Sequence, residues 1–307
     1  MSIRALGLPL AAAILMASSV SAAPPEVEAQ MASAAPADSP PVVVTQCRYL
    51  NTAGNYTLTT DLACGTVSFS IGSNVHLDCG GHAISFSYNG AAVTVSGNNS
   101  TIDSCVIIGP PRVGAAPYLY VSMYVSSPSQ GFMASKCTIG GTVQLSGVQG
   151  AVLANNTING TVHLDRSSGV SVQSNTLSGY FGEGILVSGG GSNNSFLNNS
   201  ISGDGVNGVG IDFENYVSNA NGTYTLVSAS NDLIQGNTIA NASVAGIEVV
   251  GPLTNSVIDG NNILGSLYGV WSGSYGTRGM NPQWTGNAFT NNVVSNARYL
   301  FAIRSYG

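Results

Sequence analysis

One short phrase recurs along this chain: an asparagine, a small polar residue and an aliphatic residue. Clear copies are Asn156-Thr157-Ile158, Asn175-Thr176-Leu177, Asn199-Ser200-Ile201 and Asn237-Thr238-Ile239. We extend the series with Asn262-Ile263 and Asn292-Val293, and backwards with the variants Cys105-Val106-Ile107 and Cys137-Thr138-Ile139. From Ile139 onward the aliphatic residue returns after 19, 19, 24, 38, 24 and 30 residues. A repeat of this length predicts a solenoid, in which each unit buries its apolar face only against its neighbours.

A second phrase interleaves with the first and alternates aliphatic and variable residues. Its copies are Thr142-Val143-Gln144-Leu145, Thr161-Val162-His163-Leu164, Gly184-Ile185-Leu186-Val187, Gly208-Val209-Gly210-Ile211 and Gly246-Ile247-Glu248-Val249. Alternation with a period of two predicts short strands with one buried face. Helical periodicity is absent, so the sequence predicts an all-β solenoid.

The repeated asparagine has a physical reason in such a fold. At a turn between strands, asparagine tolerates a left-handed backbone, and its amide can bond the asparagine of the next coil. A column of stacked asparagines would therefore satisfy polar groups that are buried between coils.

Composition excludes several classes of protein. The chain has 307 residues, of which 44% are hydrophobic and only 7% charged, and this is not the profile of a disordered chain. Its formal net charge is −6, with eight Lys and Arg residues in total. No basic patch can neutralise several phosphates, so we expect no nucleic-acid partner.

The N-terminus carries the parts of a secretory signal. Arg4 precedes an apolar run from Ala5 to Ala17, and small residues follow near an expected cleavage point at Ala22 or Ala23. We therefore assign residues 1–23 to a signal peptide, 24–45 to a flexible Pro/Ala/Ser-rich spacer and 46–307 to the folded domain. No later apolar stretch is long enough for a membrane span. The expected location is secreted or periplasmic.

Five cysteines lie in the first half of the chain: Cys47, Cys64, Cys79, Cys105 and Cys137. Export permits disulfides, and an odd number leaves one thiol unpaired. We favour a Cys47–Cys64 bridge at the opening turn and expect the unpaired thiol to be Cys79, Cys105 or Cys137. Cys105 and Cys137 hold the same position in successive repeats and are candidates to bridge each other. No spacing typical of a zinc site is present.

The stretch "AGNYTLTTDLACGTVSFSIGSNVHLDCGGHAIS", residues 53–85, together with the repeats, resembles the secreted, pectate-lyase-like family of right-handed parallel β-helix proteins. The resemblance implies one single-stranded right-handed parallel β-helix of about nine or ten coils. That family contains polysaccharide lyases, hydrolases, epimerases and coils without known chemistry, so fold alone does not give the reaction. It favours a polysaccharide or other glycan as partner. The adjacent aspartates, Gly-His-Gly and Arg-Ile-Lys of polygalacturonases are missing here, as is the Asp-Pro-His-Asp of mannuronan epimerases.

Stacking the alternating strands places several ionisable groups on one outward face. In our alignment Val209 and Ile211 point inward, Asp212 joins the column of Asp165, and Glu248 joins the column of His163. Coils stack roughly 4.8 Å apart, so Asp165 and Asp212 would be roughly 9–10 Å apart at the backbone. Inverting glycosidases hold their two carboxyls about 6.5–9.5 Å apart. The predicted catalytic residues are Asp165, Asp212 and Glu248, with His163 or Arg166.

Two other uses of this face stay open. Asp212, Glu214 and Glu248 could hold Ca²⁺, with His163 or Arg166 removing a sugar proton in β-elimination. Loops that leave the solenoid supply the predicted substrate contacts Tyr216, Tyr224, Trp271 and Arg278. The expected function is a secreted lyase or hydrolase, with an acidic sugar favoured. The alternative is a carbohydrate-binding, structural or adhesive surface solenoid without turnover.

Overall fold

A computed structural model describes residues 40–303, apart from residues 66, 88–89, 110–120, 181, 207, 221 and 274–283. The expected signal peptide and most of the expected spacer lie outside the described residues. Within the described part, every regular element is a short strand, and no helix is present that could cross a bilayer.

The first half of the chain contributes β1 (Val42–Val44), β2 (Tyr49–Leu50), β3 (Gly54–Leu58), β4 (Leu62–Cys64), β5 (Phe69–Ile71), β6 (Val75–Asp78), β7 (Ala83–Phe86), β8 (Val93–Val95), β9 (Thr101–Asp103), β10 (Val106–Ile108), β11 (Val121–Ser126), β12 (Met133–Ser135), β13 (Thr138–Gly140), β14 (Thr142–Ser146), β15 (Val152–Ala154), β16 (Thr157–Asn159), β17 (Val162–Asp165), β18 (Ser171–Gln173) and β19 (Thr176–Ser178). The second half contributes β20 (Glu183–Ser188), β21 (Gly191–Ser192), β22 (Ser195–Leu197), β23 (Ser200–Ser202), β24 (Val209–Glu214), β25 (Tyr216–Ser218), β26 (Tyr224–Leu226), β27 (Ala229–Ser230), β28 (Leu233–Gln235), β29 (Thr238–Ala240), β30 (Ala245–Val250), β31 (Leu253–Thr254), β32 (Val257–Asp259), β33 (Asn262–Leu264), β34 (Tyr268–Ser272), β35 (Trp284–Thr285), β36 (Ala288–Thr290), β37 (Val293–Ser295) and β38 (Tyr299–Ile303).

These strands stack into three long parallel sheets. The first sheet runs β1-β3-β6-β9-β12-β15-β18-β22-β28-β32-β36, the second β2-β5-β8-β11-β14-β17-β20-β24-β30-β34-β38, and the third β4-β7-β10-β13-β16-β19-β23-β29-β33-β37. Each coil gives one strand to each sheet, so sheets of 11, 11 and 10 strands correspond to ten complete coils in the described residues. A four-stranded sheet of β21, β27, β31 and β35 forms at a corner of the later coils. The predicted right-handed parallel β-helix of about nine or ten coils is confirmed.

The asparagine column forms as the repeat predicts. The backbone N–H and side-chain amide of Asn175 both donate to Asn199 Oδ1, at 3.0 and 3.1 Å, and Asn199 does the same toward Asn237. All of its members are buried except the last, which is half-buried, and they comprise Asn156, Asn175, Asn199, Asn237, Asn261 and Asn292.

Two details of that column differ from the sequence alignment. Asn261, not Asn262, is the stacked residue, and Asn262 pairs with Val293, which leaves Val294 packed against the core. The left-handed backbone belongs to the residue before the stacked asparagine, such as Asn155 at φ 56° and Asn198 at φ 53°. The left-handed backbone and the stacked amide therefore belong to two adjacent residues, whereas we expected one asparagine to provide both.

The cysteines continue the asparagine column toward the N-terminus. Cys137 donates its N–H to Asn156 Oδ1, and the pairing of β10 with β13 places Cys105 opposite Cys137. Cys79 directly follows β6 in the preceding coil. Disulfides join Cys47 to Cys64, as predicted, and Cys79 to Cys105. The suggested Cys105–Cys137 bridge is wrong, because Cys105 pairs with the preceding coil. Cys137 is the free thiol, and burial raises its pKa to about 11.

The domain begins earlier than expected. β1 pairs in parallel with β3, with Val43 opposite Thr57, so residues 42–44 are part of the first sheet and not of the spacer. Val44 is buried in the core. The aliphatic run Val42-Val43-Val44 supplies the strand that closes the first coil.

Candidate functional site

The second sheet presents columns of outward side chains, because successive residues of a strand point to opposite faces. Pairing of β17, β20, β24, β30 and β34 defines what we call the central column, comprising His163, Leu186, Asp212, Glu248 and Trp271. The same pairing defines the flanking column of Asp165, Ser188, Glu214 and Val250.

This register corrects the sequence alignment by two residues in β24. Ile211 and Phe213, not Val209 and Ile211, are the fully buried pair that continues the core positions of β20 and β30. Asp212 therefore stands beside Glu248 in the central column, and Glu214 takes the place in the flanking column that we had given to Asp212. The predicted pairing of Asp165 with Asp212 in one column is wrong.

The corrected register brings four carboxyl groups together in what we call the carboxylate pocket. It is a cavity of about 230 Å³ lined by Glu183, Asp212, Glu214 and Glu248, with two tyrosines and small or aliphatic residues completing the wall. Asp212 and Glu248 are paired residues of the neighbouring strands β24 and β30, so their backbones are roughly 4.8 Å apart. No Lys, Arg or His is among the described residues that line this pocket.

A hairpin forms one wall of the pocket. β25 and β26 pair antiparallel, unlike every other pair of strands described, within the 38-residue repeat that follows β23. The rings of Tyr216 and Tyr224 meet edge to face with centroids 5.3 Å apart, and the Tyr216 hydroxyl donates to Glu214 Oε1 at 3.0 Å. Both tyrosines were predicted as substrate contacts, and both line the pocket.

The carboxyls on the floor of the pocket are buried. Asp212 is 4% exposed and Glu248 is 3% exposed, and Asp212 Oδ1 has no hydrogen-bond partner among the described residues. Burial, and then the charges of Glu248, Glu214 and Glu183, raise the pKa of Asp212 well above its usual range.

The neighbouring carboxyls shift in the same direction. Burial raises the pKa of Glu248 to about 8, with Glu214 and Glu183 adding to it, and burial with the charge of Glu214 raises the pKa of Glu183 to about 7. Closely placed carboxyls titrate as a set, so at neutral pH the pocket retains protons.

His163, Asp165 and Arg166 form a separate cluster. Arg166 donates from Nε and Nη2 to the two oxygens of Asp165 at 3.1 and 2.9 Å, and Ser146 Oγ donates to Asp165 at 2.8 Å. Burial pushes the pKa of Asp165 upward, but these hydrogen bonds outweigh it and hold the pKa below its usual value. Burial lowers the pKa of His163, whose Nε2 lies 2.8 Å from Ser188 Oγ.

Leu186 separates the two clusters in the central column, standing between His163 and Asp212. A second cavity of about 290 Å³ lies beside β25, lined by Asp165, Arg166, Ser188, Gly189, Tyr216, Val217 and Ser218. Tyr216 lines both cavities. The structure therefore splits the predicted catalytic set, with Asp212 and Glu248 in one cavity and Asp165 and Arg166 in the other.

The stacked coils and the three parallel sheets agree with a known family of sequences. The profile of the family described as "Right handed beta helix region" matches residues 141–305, more than half of the chain. The chain belongs to this β-helix family. No curated protein shows significant sequence similarity to it.

Solved structures give the same fold at low sequence identity. The tailspike protein of Dettilon is 15% identical with a TM-score of 0.56, over 86% of this chain and 61% of the tailspike chain. Endopolygalacturonase I from Stereum purpureum is 14% identical with a TM-score of 0.53, over 86% of this chain and 93% of that enzyme. The β-helix thus spans less than two thirds of the tailspike, and at these identities the likeness concerns the fold alone.

One predicted contact, Trp271, is not among the described residues that line the pocket of this β-helix. Trp271 follows Glu248 in the central column but is only 4% exposed, with its ring stacked on Tyr268 at 5.6 Å. It packs with Val209 and Ala245 and does not form a rim. Arg278 lies outside the described residues.

The predicted calcium ligands Asp212, Glu214 and Glu248 do come near each other. In the part of the chain that the structure describes, however, no three Asp, Glu, His or Cys side chains are arranged so that they could hold a metal ion. Calcium at this β-helix stays a prediction, and a titration of the protein with Ca²⁺ would test it.

Sequence reasoning missed Glu183. It stands directly before the Gly184-Ile185 pair of the second phrase, opposite Val209, and it reaches the pocket from the start of β20. Strict alternation from Leu186 would put Gly184 in the outward column, but Gly184 and Ile185 are both buried, so the period-two pattern could not have found Glu183.

Proposed function

We propose that this β-helix protein binds a glycan in the carboxylate pocket and hydrolyses a glycosidic bond there. The observation that carries the proposal is the Asp212–Glu248 pair, two buried neighbouring carboxyls in a cavity that also holds Glu214 and Glu183. Hydrolysis of a glycoside needs a carboxylic acid that stays protonated and a carboxylate that activates water. An environment that gives nearby carboxyls different pKa values supplies both the protonated acid and the carboxylate.

The roles follow from burial and hydrogen bonding. The Asp212–Glu248 pair keeps a proton at neutral pH, because the pKa of each member is raised, so it serves as proton donor to the leaving oxygen. Glu214 is half-buried and accepts a hydrogen bond from the Tyr216 hydroxyl, so it is held in place to act as the base that takes a proton from water. Tyr216 and Tyr224 offer ring faces for a sugar.

Elimination is less well supported than hydrolysis. A lyase acting on an acidic sugar needs positive charge beside the sugar carboxylate, and the described lining of the pocket contains only acidic ionisable groups apart from its tyrosines. Arg166, one of the two predicted bases, pairs with Asp165 in the other cavity.

Non-catalytic glycan binding is the second candidate. The observation that favours it is the low exposure of Asp212 and Glu248, which leaves the half-buried Glu183 and Glu214 as the carboxyls that a ligand meets first. A solenoid that only binds would use the same pocket and the same tyrosines.

Measurement of new reducing ends from a panel of neutral, amino and acidic polysaccharides separates the two candidates. We expect release of reducing ends by the wild type and a loss of about 100-fold or more in kcat for Glu214→Gln and Asp212→Asn. Asp78→Asn, an exposed carboxyl on β6, is the matched control and should keep full activity. Binding of a glycan by calorimetry without any release of ends would establish the second candidate. No binding and no release with any glycan would reject the proposed function.

We also propose that the protein is exported, secreted or periplasmic, after removal of residues 1–23. The two disulfides support an oxidising compartment. Expression in a Gram-negative host should give a mature N-terminus at or next to Ala23 in periplasm or medium. A protein that keeps Met1 in the cytosol would contradict this.

A further inference from the structure

We propose that the carboxylate pocket recognises the ammonium group of an amino sugar, so that its glycan carries free 2-amino-2-deoxyhexose units. The inference rests on the proposed function, since it names the class of sugar that the same site takes. It replaces the acidic sugar favoured by the sequence.

The charge of the pocket has one sign. Glu183 on β20, Asp212 and Glu214 on β24 and Glu248 on β30 all face the cavity, and the hairpin adds only Tyr216 and Tyr224. No described lining residue carries positive charge. A uronate would bring a fifth carboxyl group into a cavity that offers it no cation, whereas an ammonium group can pair with each carboxyl that ionises around it.

The floor of the pocket holds an acceptor without a donor. Asp212 is more than nine-tenths buried, and its Oδ1 makes no hydrogen bond with any described residue. Buried polar atoms are almost always hydrogen-bonded, so an unpaired one that lines a cavity indicates a ligand donor. An ammonium group offers three N–H donors and no acceptor, which matches a site built from carboxyl oxygens.

A metal ion is a poorer match than an ammonium group. Calcium needs six to eight oxygens in close array, and the described residues contain no group of three acidic or other ligating side chains placed to hold a metal. The hairpin, by contrast, provides aromatic faces. Tyr224 is 46% exposed and its ring meets that of Tyr216, so a sugar ring can stack there while its ammonium group enters the pocket.

Proton release on binding tests this inference without any measurement of catalytic activity. The carboxyls hold protons because they are buried and repel one another, and a bound cation favours their ionised form. Binding of one ammonium group must therefore displace about one proton from the set formed by Asp212, Glu248 and Glu183, whereas a neutral sugar has no such effect.

Calorimetry with three oligosaccharides of equal length tests the inference: a glucosamine oligomer, an N-acetylglucosamine oligomer and a galacturonic acid oligomer. At pH 6 and low salt we expect the glucosamine oligomer to bind at least ten-fold more tightly than its N-acetylated match. Titration in two buffers of different ionisation enthalpy should show release of about one proton per site for the glucosamine oligomer and none for the N-acetylated one. Glu183→Gln and Glu214→Gln should each remove most of the preference, and Asp78→Asn should keep it.

The possible results distinguish failure of the amino-sugar inference from failure of the proposed glycan function. Equal or tighter binding of the N-acetylated oligomer, or best binding of the galacturonic acid oligomer, overturns the inference while the proposed glycan function stands. Binding of the glucosamine oligomer without proton release also overturns it, because the ammonium group would then lie outside the carboxylate pocket. Binding of none of the three, nor of any other glycan, overturns both.

Discussion

Asp232 places a carboxyl in a buried ladder that is otherwise made of amides and a hydroxyl. Its Oδ1 accepts the Asn194 N–H at 2.8 Å, and its own N–H donates to Ser256 Oγ at 3.0 Å. Asn287 continues the ladder beyond Ser256. The second oxygen, Oδ2, is buried without a partner among the described residues, and burial raises the pKa of Asp232 to about 7.

Asp232→Asn should stabilise the protein at alkaline pH. The folded-state pKa lies above the ordinary value of 3.8, so stability from the neutral carboxyl is fully present below pH 3.8 and is lost as the pH rises through about 7. An amide does not titrate, so the substitution should raise the free energy of unfolding by up to a few kcal/mol at pH 8 and change it little at pH 4. Urea unfolding at both pH values measures this. A variant that is less stable than wild type at pH 8 would contradict it.

Asn199→Ala should weaken the asparagine column more than any exposed change nearby. Asn199 accepts two hydrogen bonds from Asn175 and donates to Val172 O at 2.8 Å and to Asn237 Oδ1. Alanine leaves these groups buried without partners, at a cost of about 2–5 kcal/mol. Denaturant unfolding of Ser200→Ala, an exposed neighbour, is the control and should shift by less than about 0.5 kcal/mol. Equal effects for the two variants would show that the column does not stabilise the fold.

At the scale of the strand, glycine sets how closely coils pack beside the pocket. Gly184, Gly210 and Gly246 occupy equivalent places at the start of β20, β24 and β30. A Cβ at Gly210 would lie 2.3 Å from Ile239 Cγ2 and 2.5 Å from the carbonyl oxygen of Gly246. Only glycine fits there without a shift of the next coil.

Gly210→Ala should therefore destabilise the protein by about 1–3 kcal/mol through overpacking. Because the same strand carries Asp212 and Glu214, the variant should also weaken glycan binding. Gly65→Ala is the control, since a Cβ there meets nothing within 4 Å and the residue is exposed. Thermal unfolding and calorimetry measure the two effects, and a Gly210→Ala variant as stable as wild type would show that the coil can relax.

The sequence predicts the fold of this chain but not the register of β24, and the glycines at the start of that strand are the reason. The repeated phrases contain enough information for the fold, because Ile158, Leu177 and Ile201 return at one buried position. They do not fix the register of β24, since Gly208-Val209-Gly210-Ile211 imitates the phrase of other coils while Ile211 and Phe213 are the true core pair. Glycine-rich strands specify register weakly. The two-residue error moved Asp212 away from Glu248 and hid the pocket.

At the scale of the whole molecule, the two ends of the solenoid are held differently. Two disulfides join coils near the N-terminus, whereas the last described strands leave Val293, Leu300 and Phe301 from 42% to 64% exposed. In a solenoid each coil is supported only by its neighbours, so local unfolding begins at the weaker end.

Hydrogen exchange should consequently show a gradient along the chain. We expect backbone amides of β36–β38 to exchange fastest among the strands and those of β13–β24 slowest. Reduction of the disulfides should speed exchange in β4–β10 and leave β28–β33 unchanged. Mass spectrometry of peptic peptides measures this. Uniform exchange across all coils would mean that the molecule opens as one cooperative unit.

The hairpin of β25 and β26 has an evolutionary consequence. Two backbone hydrogen bonds hold the base of the hairpin: Asn215 N–H donates to Val250 O, and Val227 N–H donates to Asn215 O. The stacked coil is therefore continuous on both sides of the hairpin. Substitutions, insertions or exchange of residues 216–226 leave the stacked sheets untouched. Selection can therefore remodel one wall of the pocket from one descendant to the next while the carboxyl floor and the solenoid are inherited unchanged.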